Sequence, residues 1–227
     1  MFKSLFAGLV IAAAASAAAS TTINFDNLDG SGNQAVPNGY DGLNWTNFYV
    51  YDAFNDLGNL SPSGYHDAVR GVQSWVSPNN VAFSANVNLG AIPIVSSATV
   101  FNLNSAYLHS VWNDNLQVEV IGSLAGLTTY DYTYMLNASA TGPTFINFNY
   151  LGVDRVQFIP SGGTPFYTNY FGPYFAIDNM AVDFVPTLAA VPEPSTWLAA
   201  ALALGVIGFS QRKRLRACAS SGGRKHS

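Results

Sequence analysis

Between Ser20 and Ala190 the chain carries twelve carboxylates, two arginines (Arg70 and Arg155), two histidines (His66 and His109) and no lysine. That inventory is rich in hydrogen-bond acceptors and oxygen ligands and poor in acid–base partners. His66-Asp67, within Gly-Tyr-His-Asp, is the one local pair that looks like an acid–base couple, and it is not read as catalytic. His66 and His109 are not at metal-ligand spacing. No Gly-x-Ser-x-Gly elbow and no phosphate-cradling glycine run occurs. Glycoside hydrolysis needs two opposed carboxylates, but Glu119, the lone glutamate of this region, falls at an outward position of a regular alternation. No catalytic residue is assigned, and a non-enzymatic protein is expected.

The charge balance narrows the partners. Twelve acids against two arginines give this region a net charge near −10, where the whole chain stands at −4. Such a surface repels phosphate backbones, which excludes nucleic acid. It suits a divalent cation, because calcium takes carboxylate oxygens. Asp178 is the leading candidate. Strand alternation places it on one face with Ala176 and Met180, and a buried carboxylate needs donors or a cation. Asp26 is the expected companion ligand. The competing reading is an Asp178 that faces solvent or hydrogen-bonds a turn.

Aromatic rings are the second chemical resource. Trp45, Phe48, Tyr49 and Tyr51 lie in one run with Tyr40 just before it, and Phe166, Tyr167, Tyr170, Phe171, Tyr174 and Phe175 form another cluster. Rings on a rim can stack on sugar faces, while core packing claims rings within strands. Gly162-Gly163, Pro165 and Gly172 break any strand around the second cluster, so Phe166, Tyr167 and Tyr170 are the candidate carbohydrate-binding residues.

The elements that must position these groups read as all-β. Apolar and β-branched runs occur at Thr21–Phe25, Leu43–Tyr51, Val81–Ala85, Ala98–Leu103, Ala106–Trp112, Leu116–Ile121, Thr128–Met135, Thr144–Tyr150, Arg155–Ile159 and Phe175–Phe184. In Leu116–Ile121, Leu116, Val118 and Val120 face one way and Gln117 and Glu119 the other. Tyr130, Tyr132 and Tyr134 likewise share a face. Short strands with Gly, Pro and Asn between them predict an antiparallel β-sandwich of jelly-roll type. Gly30–Gly42, Asn55–His66 and Ser161–Pro173 read as long loops.

The two ends differ from this domain. Lys3, the apolar stretch Leu5–Ala15 and the small residues Ala15–Ala19 form a signal peptide over 1–19. The β-sandwich is expected over 20–187. In 188–227, Val191-Pro192-Glu193-Pro194 precedes the apolar run Trp197–Phe209, expected as a single hydrophobic helix, and Arg212, Lys213, Arg214 and Arg216 then form a cationic stop. That run is thirteen residues, short against the roughly 20 of a spanning helix. The sole cysteine, Cys218, lies beyond it, so the domain must be stable without a disulfide.

This terminal string resembles the PEP-CTERM sorting signal of Gram-negative bacteria, which an exosortase recognises and processes at the envelope. The resemblance implies the export machinery and exosortase as partners, transient anchoring in the inner membrane, and final residence at the outer surface or in the extracellular matrix. It also implies association with exopolysaccharide in biofilm-forming cells. Ile23–Gly30 at the start of the domain and Tyr174–Phe184 at its end more loosely resemble jelly-roll carbohydrate-binding modules. There the first and last strands are neighbours and a closing-strand aspartate helps to hold structural calcium, the place Asp178 would take. Two rivals remain at this point: a structural matrix protein that self-associates through its tyrosine-rich faces, and a secreted polysaccharide hydrolase.

Overall fold

A computed structural model describes residues 20–55, 62–168, 172–185 and 201–204. Residues 1–19, Val191–Pro194, the cationic stop and Tyr170 lie outside the described residues. The chain divides into two units, 1–186 and 187–227. In the second, residues 201–204 form a turn of α-helix within the expected apolar run. Among the described residues no helix is long and apolar enough to cross a membrane.

The first unit is an antiparallel β-sandwich, as the turn-punctuated apolar runs predict. Its strands are β1 (Ser20–Ile23), β2 (Gln34–Ala35), β3 (Asn44–Thr46), β4 (Phe48–Asp52), β5 (His66–Asp67), β6 (Val72–Gln73), β7 (Asn80–Ser84), β8 (Ile94–Ser110), β9 (Asn113–Asp114), β10 (Leu116–Leu124), β11 (Leu127–Leu136), β12 (Thr144–Ser161), β13 (Thr164–Pro165) and β14 (Phe175–Phe184). The main hydrogen-bonded order is β11-β10-β12-β8-β14-β7-β4-β2, with β1 on β14 and β3 on β8. The neighbouring first and last strands are thus found: Ser20 pairs with Asp183 and Ile23 with Met180.

Two strands are longer than expected. The runs Ala98–Leu103 and Ala106–Trp112 fuse into β8, and Thr144–Tyr150 and Arg155–Ile159 fuse into β12. Thr144–Val153 of β12 pairs with Phe101–Leu108 of β8, and Arg155–Gln157 continues on Ile94–Ser96 of β8 while Arg155–Ser161 pairs on its other side with β10. Register shifts at Asn147/Tyr150, Tyr150/Val153 and Val153/Arg155 bend β12 along the way. The asparagine content serves such corners. Asn33, Asn47, Asn79, Asn86, Asn115, Asn149 and Asn179 all take positive φ, which asparagine tolerates better than other side chains.

The layers enclose a core built on aromatic edges. Phe25 meets Trp45 at 5.3 Å, Trp45 meets Phe48 at 5.4 Å, and Phe48 meets Phe158 at 5.8 Å, all edge-on. Such pairs add about 0.5–1.5 kcal/mol each beyond the area they bury. Leu116, Val118 and Val120 are fully buried in the same core. Tyr130 stacks on Tyr150 at 4.5 Å, and Tyr150 donates its hydroxyl to the Val120 carbonyl at 2.9 Å. A second apolar cluster, containing Tyr65, Trp112, Tyr167 and Ala176, lies apart from this core, so β14 is buried along most of its length.

Simple alternation fails once on β14. The register shifts between Asp178 and Ala181, with Asn179 at φ 46°. Ile177 therefore shares the main core with Met180 and Val182. Asp178 does not share a face with Met180 as expected; the bulge residue reverses the parity.

Candidate functional site

The most chemically equipped surface is built around the turn between β5 and β6. Asp67 shapes that turn. Its Oδ1 accepts the Val69 and Arg70 backbone N–H groups, each at 3.1 Å, and its Oδ2 accepts Arg70 Nη1 at 2.6 Å. Asp67 is buried while the Arg70 side chain is 52% exposed. Burial works to raise the Asp67 pKa, but the hydrogen bonds from Arg70 and Val69 outweigh it and hold the carboxyl below its ordinary value. The same bond raises the Arg70 pKa further.

The β9–β13 pair brings the candidate aromatics to this turn. Thr164 and Pro165 pair with Asp114 and Asn113, and Phe166 donates its N–H to the Trp112 carbonyl at 2.9 Å. Gly163 permits the approach. At φ 84°, a Cβ there would stand 2.7 Å from that of Asn113. The Arg70 guanidinium carbon then lies 5.8 Å from the Phe166 ring centre and 5.9 Å from that of Tyr167. Both are within cation–π range.

The two rings have different roles. Phe166 is 38% exposed and presents an apolar surface beside the guanidinium. Tyr167 is 3% exposed and packs edge-on to Trp112 at 6.4 Å. An exposed Tyr167 is thus corrected: the backbone that lifts Phe166 outward turns the next side chain inward. Burial, with the Asp67 charge nearby, pushes the Tyr167 pKa up.

His66 and Asp67 do not act as a pair. Asp67 faces Arg70, while His66 meets the edge of Trp75 at 5.0 Å, and Trp75 meets Phe54 at 5.7 Å. Phe54 is 49% exposed. Arg70, Trp75 and Phe54 were not singled out by sequence reasoning. The available signal was Asp-x-x-Arg across a short turn in a region with two arginines.

Asp178 and Asp26 hold backbone. Asp178 is fully buried, and its carboxylate accepts the N–H groups of Val76 at 2.6 Å, Ser77 at 3.0 Å and Asn179 at 2.7 Å, plus the Ser77 hydroxyl at 3.2 Å. Burial raises its pKa to about 6 against the pull of those bonds. Asp26 instead accepts the Asn80 N–H at 3.1 Å. The turn-binding alternative for Asp178 is what the geometry shows. Among the described residues no group of three or more His, Cys, Asp or Glu side chains gathers for a metal. His109 is also buried, with Nδ1 2.7 Å from the Ser110 carbonyl oxygen and Nε2 3.1 Å from that of Ala140.

Comparison with known proteins adds a structural likeness and a sequence motif. The chain is similar to a DUF4465 family protein from Bacteroides ovatus at 10% identity and a TM-score of 0.35, covering 74% of this chain and 95% of that one. No curated protein matches it. The PEP-CTERM protein-sorting motif matches residues 190–214, spanning Val191–Pro194, the apolar run and the first cations. The chain carries a PEP-CTERM sorting signal and is an exported protein of the exosortase system.

Proposed function

We propose that the sandwich is a non-enzymatic module of the cell envelope or extracellular matrix that associates with exopolysaccharide, with Phe166 and Arg70 as its contact. The observation that carries this reading is the shelf itself. An exposed ring lies beside a guanidinium fixed by a buried carboxylate, on a domain joined in sequence to a sorting signal. A pyranose has an apolar face and a rim of hydroxyls. Phe166 suits the first, and the remaining Arg70 N–H groups suit the second. Phe54 and Trp75, edge-on to each other at 5.7 Å, are a further aromatic pair, linked to β5 through His66.

The test is retention of the purified domain, residues 20–187, on exopolysaccharide from the source bacterium, with calcium and then with EDTA. Phe166→Ala is expected to weaken retention about ten-fold, equivalent to about 1.4 kcal/mol, with an unchanged circular dichroism spectrum. Equal retention of Phe166→Ala and the parent removes the shelf as the site. Retention that persists in EDTA leaves the glycan reading intact without calcium.

A further inference from the structure

The outer edge of β11 is unlike the other strand edges. β10 and β11 form a hairpin closed by Ala125-Gly126, whose φ values of 50° and 80° give a type I′ turn. One side of β11 pairs with β10; among the described residues no strand pairs with the other. Its single irregularity is Thr129, left over between the Gly122–Tyr130 and Ser123–Thr128 pairs. Tyr130–Leu136 is therefore a regular seven-residue edge.

Strand edges are usually blunted by shortness, bulges, proline or lysine, because unpaired N–H and C=O groups otherwise invite another strand. Two other edges among the described residues follow that rule. The far end of the sheet, β2, is two residues long. The free edge of β12 over 144–150 is broken by Asn149 at φ 52° and by a shift of register. Tyr130–Leu136 has no proline, lysine or bulge, and Asp131 is its one charge. Tyr132 and Met135 are 59% and 58% exposed.

We propose that a second copy of this chain adds to this edge, antiparallel, about a two-fold axis normal to the sheet and in a register centred on Tyr132. A two-fold axis of that orientation keeps every side chain on its own face, so partners must lie an even number of residues apart. Centring on Asp131 would set two carboxylates directly opposite, which is unfavourable. Centring on Thr133 sets Asp131 against Met135 and Tyr130 against Leu136. Centring on Tyr132 pairs Tyr130 with Tyr134, Tyr132 with its own copy, and Asp131 with Thr133. Every tyrosine of the strand then meets a tyrosine, and aromatic cross-strand pairs are among the stabilising ones. Sorting many copies to one surface raises their effective concentration for this contact. The proposal does not depend on the glycan reading.

Cross-linking tests both the partner and the register, using the full chain in detergent with Cys218→Ser as background. Directly opposed residues of antiparallel strands have Cα atoms about 4.5–5.5 Å apart, which a disulfide can bridge. Tyr132→Cys is expected to form a disulfide dimer under mild oxidation at least ten-fold faster than Thr133→Cys or Leu89→Cys. Leu89 is 81% exposed on a remote turn and reports random collision. Tyr132→Lys is expected to convert the sedimenting dimer to monomer with an unchanged far-ultraviolet spectrum. Equal linking rates, faster linking at Thr133→Cys, a parent that stays monomeric, or a dimer unaffected by Tyr132→Lys would each overturn the proposal.

Discussion

Replacing Asp178 with alanine should cost most stability in acid, the reverse of a carboxylate held mainly as an ion. The folded pKa is raised from 3.8 to about 6. Between those values the folded state holds the proton more tightly than the unfolded state. Stability from this group is therefore fully present below about pH 4 and is lost as pH rises through about 6. The two pKa values give a loss of about 2 kcal/mol between pH 4 and pH 7. The mostly protonated acid at pH 4 still accepts donors from Val76, Ser77 and Asn179, at about 1 kcal/mol each. Asp178→Ala should then cost about 3 kcal/mol at pH 4 and about 1 kcal/mol at pH 7. For a domain of this size the corresponding falls in Tm are about 6–12 °C and about 2–4 °C. Thermal unfolding of residues 20–187 and of the variant at both pH values measures this directly, because other titrating groups cancel in the difference. A cost that grows from pH 4 to pH 7 would refute the reasoning. Adding EDTA at pH 7 should leave the parent unchanged; a Tm that falls on chelation would show instead that a cation holds this carboxylate.

Two further outcomes follow from the packing. Gly64→Ala would drive a Cβ into the Ser110 carbonyl oxygen and to 2.7 Å from that of Val111; an overpacking cost of about 1–3 kcal/mol is expected, read from chemical denaturation. His109 has its pKa lowered, with burial outweighing the bonds to Ala140 and Ser110 and the nearby Asp114 charge, so the stability it contributes is present above pH 6.5 and lost as pH falls through the lowered value. His109→Gln should flatten that part of the pH–stability curve, and an identical slope in the variant would count against it.

The fold was legible because its signals are local. Alternation in Leu116–Ile121 placed Leu116, Val118 and Val120 in the core, while the adjacency of β1 and β14 came from the resemblance of the domain's two ends to jelly-roll modules and not from any local pattern. Bulges were not legible: one extra residue at Asn179 reverses the faces of everything after it, and no composition signal marks which asparagine in a strand will take positive φ. The site was only half readable for a similar reason. Gly162-Gly163 and Pro165 announced a corner carrying Phe166, but whether Phe166 or Tyr167 points outward depends on the Thr164–Asp114 pairing. Arg70 reaches that corner through a turn almost a hundred residues earlier in the chain, a separation that periodicity cannot bridge.

The place of β14 bears on how the exported domain would carry load. The chain leads from Phe184 toward the sorting signal, so a pull from that end enters the sandwich through β14. This strand is flanked by β8 along most of its length and, on its other side, by β7 and β1. Extracting it requires many backbone hydrogen bonds to shear together, whereas an outer strand could be peeled one bond at a time. The strand nearest the sorting signal is thus paired on both sides, whereas β11 is paired with β10 alone among the described residues.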